Sequence, residues 1–268
     1  MPFKGNYYYY ALIKKIPRVR LVKFIHSITN PTGGCVSYPE KVLQFGTGVL
    51  QRGLCDFYID KANRAGIFKG RVVVVKSTAK GGADAFDEQD SLYTHCIKGI
   101  EDGVAKEENI INSSISRTIT ASKDWDKIIE CAKSEEMQII LSNTTEVGIT
   151  YVANDPIANG CPSSFPAKLL AFLHARFTHF AGAAKAGMVI VPTELIINNG
   201  DVLKDIVLKL AADHQLSAEF ISWLQTHNHF CNSLVDRIVP GAPDAETSAA
   251  ICADLGYTDK NLIISEVY

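Results

Sequence analysis

The chain has 268 residues, a formal net charge of −2, 47% hydrophobic residues and 21% charged residues. That length holds one large domain or one and a half small ones, and the composition excludes an intrinsically disordered chain. The near-neutral balance gives no reason to expect nucleic acid or an anionic membrane as partner, and no apolar stretch is long enough to cross a bilayer.

No acidic residue precedes Glu40, whereas Lys4, Lys14, Lys15, Arg18, Arg20 and Lys23 do, and Tyr7 to Tyr10 form a run. Residues 1–37 read as a basic, poorly ordered extension outside the folded domain; an acid-poor basic leader also fits a transit peptide. Residues 42–45 then form a short apolar strand that meets Gly46-Thr47-Gly48. Residues 50–65 follow as one amphipathic helix, with Leu50, Leu54, Phe57, Tyr58 and Ala62 on one face. Residues 71–76 are a β-branched run suited to a central parallel strand. Residues 81–90 read as a loop. Strands are expected at 93–97 and 115–120, with a turn over 99–103. Ser122 is expected to cap a helix reaching residue 132, with Asp124 in its first turn.

Residues 138–142 form a second buried strand. Pro166 opens a long helix through about residue 184, and residues 188–191 form a third buried strand. Helices are expected at 201–213, 217–226 and 245–255. Strand and helix signals alternate, which argues for an α/β fold: a Rossmann-like, doubly wound, mostly parallel sheet with helices on both faces. The expected boundaries are a dinucleotide-binding domain over 38–240 and, over 241–268, the helical start of a truncated second domain.

A strand that hands over to a helix through Gly-x-Gly is how an open α/β sheet holds a pyrophosphate. One glycine permits the turn, the next lets the backbone approach the phosphates, and the exposed amides stabilise the charge. The third glycine of that pattern is displaced to Gly53, so an ordinary strand-turn-helix fits as well. Arg52 reads equally as a phosphate contact or a solvated helix charge.

Ligands in such a sheet lie beyond the carboxyl ends of the strands. Asn143-Thr144-Thr145-Glu146 and Pro192-Thr193-Glu194 follow buried strands and reach that edge. Asn143 and the threonines suit a ribose or nicotinamide, or simple loop chemistry. Glu146 and Glu194 suit a substrate-side carboxylate pair, or capping. An NAD site usually has an acidic residue at the end of its second strand. Here Lys76-Ser77-Thr78-Ala79-Lys80 stands instead, which leaves NADP open. Asp236 and Arg237 break amphipathic periodicity, and fit either a substrate side or structural ion contacts. His227 and His229 are two apart and do not share a helix face, so no metal site is expected. The seven cysteines are odd in number and lack a C-x-x-C pair. Neither a zinc site nor a disulfide framework is suggested, and free thiols in a reducing cytoplasm are the simple reading.

Phe230-Cys231-Asn232-Ser233-Leu234-Val235-Asp236-Arg237-Ile238-Val239-Pro240 resembles the signature of the mannitol dehydrogenase family, the long-chain polyol-specific dehydrogenases. Gln44-Phe45-Gly46-Thr47-Gly48, the segment from Ser142 to Ile149, and Ser164-Phe165-Pro166-Ala167-Lys168-Leu169 resemble a sugar-acid branch of it. The resemblance implies an NAD(H) cofactor and reversible hydride transfer between tagaturonate and altronate, in cytoplasmic hexuronate breakdown. Fructuronate reduction and mannitol oxidation are the alternatives within the family; a catalytically silent dinucleotide-binding module is the alternative outside it. Phe45, Gly46, Thr47, Gly48, Arg52, Lys76, Asn143, Thr144 and Glu146 are the implied cofactor side, and Glu194, Asp236 and Arg237 the substrate side. The family's general base is a lysine in a K-x4-N-x2-H motif. No lysine here has Asn five and His eight residues on, so that base is expected beyond Tyr268 and the isolated chain is expected to be inactive.

Overall fold

Runs of valine, isoleucine and leucine build the sheet that carries the site. A computed structural model describes residues 37–76, 84–144, 147–158 and 160–267. The extension expected before residue 37 lies outside them, as do Ser77 to Lys80 and the pair Thr145-Glu146. In chain order the elements are β1 (Glu40–Phe45), α1 (Val49–Gly53), α2 (Cys55–Arg64), β2 (Arg71–Lys76), α3 (Asp84–Glu88), β3 (Tyr93–Glu101), β4 (Val104–Asn112), β5 (Ile115–Thr120), α4 (Trp125–Ala132), β6 (Ile139–Ser142), α5 (Phe165–His179), β7 (Val189–Pro192), α6 (Asn199–Asp213), α7 (Ala218–His227), β8 (His229–Phe230), α8 (Ala245–Leu255) and β9 (Ile263–Ser265).

Among the described residues, six strands form one sheet in the order β5-β2-β1-β6-β7-β8, and every neighbouring pair is parallel. This is a Rossmann-type doubly wound order, reversing direction between β1 and β6. Leu43, Phe45, Val73 and Val75 point to one face, into a core with Ile128, Leu169, Leu203, Val207 and Phe220 from α4, α5, α6 and α7. Val42, Val72 and Val74 point to the other, as the period-2 alternation of strands requires. There they meet Val49 and Ile59 of α1 and α2, and also Tyr93 and Ile263 of a second sheet, ordered β4-β3-β9. The second face is thus covered partly by helix and partly by sheet.

Several expectations are corrected. The helix over 50–65 is two helices, broken at Leu54 (φ −116°, ψ −76°). The cause is a crossing segment: a Cβ on Gly53 would lie 2.9 Å from Val239 Cγ2, and the Gly53 carbonyl accepts from Arg237 Nη1. The late third glycine therefore serves close packing. Tyr58 of the expected apolar face is exposed. The strand over 93–97 runs on to Glu101 and pairs antiparallel with β4, whose charged Lys106-Glu107-Glu108 hides its strand character. The turn contracts to Asp102-Gly103 (φ 52° and 77°), the positive-φ pair of a type I′ hairpin. Part of the loop over 81–90 is α3, and Asp124, not Ser122, precedes α4. Finally, the segment over 241–267 is not helical throughout, because β9 follows α8. β9 pairs parallel with β3 and Ile263 is fully buried in the core behind β1 and β2, because its apolar run supplies a third strand.

Candidate functional site

The bend after β1 is held open by local rules. Gly46 has φ +123°, a conformation that strains any side chain, and its N–H donates to the Val75 carbonyl at 3.0 Å. A Cβ there would lie 2.7 Å from the Asn143 carbonyl oxygen on the neighbouring strand end. Gly48 differs. It is exposed, and a Cβ would meet nothing nearer than Asn143 Oδ1 at 4.0 Å, so glycine there keeps the approach open. Among the described residues the amides of Thr47 and Gly48 make no hydrogen bond. Helix α1 has only five residues, so these amides carry more of any anion contact than a helix dipole does.

β6 and β7 bring the second wall. Asn143 N–H donates to the Phe45 carbonyl, which joins this wall to the bend. Asn143 Nδ2 donates to the carbonyl and hydroxyl oxygens of Thr193 at 2.9 and 3.1 Å. Glu194 is only 3% exposed, and its carboxylate accepts from Ser142 Oγ (3.0 Å), Thr144 N–H (3.0 Å) and Thr144 Oγ (2.9 Å). Three donors hold both oxygens, so Glu194 acts as a clamp on the β6 loop. Asn199, which the sequence reading missed, donates to the Pro192 and Glu194 carbonyls and to Ser233 Oγ, tying the ends of β7 and β8 together. The Asn198-Asn199-Gly200 run after a buried strand was its only local signal.

The structure therefore gathers Gly46, Thr47, Gly48, Asn143, Thr144 and Glu194 at one edge, where the strand order reverses. Other expected site residues are employed elsewhere. The Phe45 ring is fully buried, 5.0 Å from that of Phe165. Lys76 is buried at the end of β2. Arg52, expected on phosphate, is 7% exposed: its Nη1 donates to the Asn261 carbonyl and its guanidinium lies 5.6 and 5.4 Å from the rings of Phe86 and Tyr93. Arg237 is 6% exposed, donates to the Gly53 and Glu266 carbonyls, and lies 4.6 Å from the Phe57 ring. Both arginines join α1 and α2 to the segments flanking β9. Asp236 is exposed on the surface. Glu146 lies outside the described residues.

Two titratable groups are buried on neighbouring elements, Asp56 on α2 and His95 on β3. Burial pushes the Asp56 carboxyl up to about 7, against a hydrogen bond from Gln44 and the charge of Arg52. Burial, with the charges of Arg237 and Arg52, drives His95 down to about 3, so it is neutral at ordinary pH, with Nε2 2.7 Å from Ser265 Oγ.

The family description "Mannitol dehydrogenase Rossmann domain" matches residues 40–268. An altronate oxidoreductase of Bacillus subtilis (strain 168) is 43% identical over 231 residues, covering 86% of this chain and 48% of that protein. One of Klebsiella pneumoniae (strain 342) is 43% identical over 230 residues, covering 85% and 47%. The chain thus spans about half the length of the curated relatives it matches. Pseudomonas fluorescens mannitol 2-dehydrogenase, solved as a ternary complex with NAD and D-mannitol, superposes with a TM-score of 0.71 at 22% identity, over 87% of this chain and 48% of that one. A substrate-free D-sorbitol dehydrogenase also gives 0.71, at 20% identity, over 87% and 50%. By sequence match over most of its length, with the fold agreeing, this chain belongs to the mannitol dehydrogenase family.

Proposed function

We propose that this chain is the dinucleotide-binding part of an NAD-dependent dehydrogenase that interconverts tagaturonate and altronate in the cytoplasm. The observation that carries the reading is the bend at residues 46–48. Two amides that make no hydrogen bond among the described residues, next to glycines 46 and 48, lie at the reversal between β1 and β6, where sheets of this order take nucleotides. Thr47 and Gly48 would donate to the oxygens of a diphosphate, each charged hydrogen bond contributing about 1.5–3 kcal/mol. Asn143 and Thr144, fixed by Thr193 and Glu194, would border the ribose and nicotinamide. NAD, when bound, accepts or returns the hydride.

The sugar-acid choice is supported by relatives named altronate oxidoreductase at 43% identity. Fructuronate or mannitol would be the substrate instead if mannonate or mannitol were oxidised faster than altronate. Removing hydride from a secondary alcohol requires a base for the hydroxyl proton. Glu194, the described carboxylate nearest this role, already accepts three hydrogen bonds. The chain by itself is therefore expected to bind cofactor without turnover; NAD reduction with altronate at a rate near that of a full-length relative would refute this. For the binding claim, Gly48→Val should leave the fold intact, since space is available, yet raise the NADH dissociation constant at least ~100-fold by closing the approach. Unchanged NADH fluorescence titrations would show that nucleotide does not enter here.

A further inference from the structure

We propose that Asp56, acting through Gln44, is a positioning residue for the bend and couples dinucleotide affinity to its own protonation. The coupling to affinity rests on the reading above; the positioning does not.

In a trans peptide the carbonyl and the following N–H point in opposite directions. A Gly46 carbonyl held inward therefore turns the Thr47 N–H outward, toward the opening. Gln44 Nε2 donates to that carbonyl at 3.4 Å. The same Gln44 nitrogen donates to Asp56 Oδ2 at 3.3 Å. Asp56 thus sets how Gln44 is held, and Gln44 sets how the bend is held. Gln44 and Asp56 are both fully buried, so water does not substitute for either contact.

The pair is also incomplete. Gln44 Oε1 and Asp56 Oδ1 are buried without a hydrogen-bond partner among the described residues. Two acceptors without donors make a place where one proton is welcome. Once protonated, the carboxyl becomes a donor, and Gln44 Oε1 is the acceptor that lacks one. The amide then turns that oxygen toward Asp56 and withdraws Nε2 from Gly46. The groups that set the balance are Arg52 from α1, Tyr93 from β3, and Cys55 and Asp60 on the helix of Asp56 itself. Asn112 of β4 donates to the main-chain carbonyl of Asp56 and leaves its carboxyl free. Burial raises Asp56 to about 7, so the change falls near neutral pH. An ionised Asp56 keeps Nε2 on Gly46, so affinity rises with pH, and dinucleotide binding expels the proton. One unit of difference in Asp56 pKa between free and bound chain corresponds to a ~10-fold change in affinity.

The test follows the Thr47 and Gly48 amide resonances of the 268-residue chain by NMR from roughly pH 5.5 to 8.5, alongside NADH fluorescence titrations. In the parent chain both amides should shift with a midpoint near that of Asp56, and the NADH dissociation constant should fall about three- to tenfold across it. Asp56→Asn, which keeps an acceptor for Gln44, should flatten both curves. Gln44→Met should flatten the amide shifts while the Asp56 carboxyl, followed by its own carbon signal, still titrates. Amides that do not move in the parent chain, or that titrate unchanged in either variant, overturn the relay. Titrating amides without NADH binding leave the positioning standing and sink the dinucleotide reading; NADH binding with pH-independent amides sinks the relay alone.

Discussion

The crevice at the β1–β6 reversal and the seam between α1, α2 and the three-stranded sheet are both rich in buried polar groups, yet they use them oppositely. In the seam, charges close on the protein itself. Arg52 and Arg237 are occupied by carbonyls and rings. Asp259 accepts from Gln89 Nε2 at 2.8 Å, Asn261 N–H at 2.7 Å and the Thr94 amide. In the crevice the side chains also bond one another, but the main-chain amides of Thr47 and Gly48 make no hydrogen bond among the described residues. A charged side chain in a motif can therefore be spent on the protein itself, because a buried guanidinium needs partners of its own.

Three substitutions probe that contrast. The largest effect is expected from Gly46→Val. Its side chain would clash with the Asn143 carbonyl at a φ of +123°, costing about 3 kcal/mol or more and abolishing NADH binding. Urea unfolding and NADH titration read the two losses together; full stability with full binding would mean that the bend is not where nucleotide contacts the chain.

Arg52→Met comes next and acts on the seam. It leaves the Asn261 carbonyl without its donor, a loss of about 1–3 kcal/mol in urea unfolding, while NADH affinity measured well above the Asp56 midpoint stays within about twofold of the parent. The midpoint itself moves up, since the Arg52 charge helps keep Asp56 ionised. A large loss of affinity at high pH without loss of stability would return Arg52 to the phosphate.

Glu194→Gln should be mildest. Glutamine retains one acceptor oxygen, but the three donors from Ser142 and Thr144 then face one oxygen and one NH2. A cost of about 1 kcal/mol follows, or about 2–4 °C in Tm. A calorimetric midpoint equal to that of the parent would show that the clamp contributes nothing to the β6 loop.

Much of the parallel sheet was legible because its information is local. The runs at β1, β2, β6 and β7 declare themselves by β-branching, and Gly46 by the turn it permits. The Asp102-Gly103 hairpin was half legible, since its turn residues stand out while the strand after it is masked by charge. The edge that gathers Gly46, Asn143, Thr144 and Glu194 could be placed from strand ends alone. Nothing local announced that Glu194 would be tied by three donors, that Gln44 would bridge Asp56 and the bend, or that Gly53 would break a helix.

The amino-acid sequence by itself determined the alternation of strand and helix, which segments follow the buried strands, and the family to which the chain belongs. Only the tertiary structure decided what the charged residues do. Arg52 meets Asn261, and Gly53 meets Arg237, across about two hundred residues of chain. The physical reason is that periodicity and turn chemistry are written within a few neighbours, whereas a buried charge takes whichever carbonyls and rings the returning β9 segment brings to it.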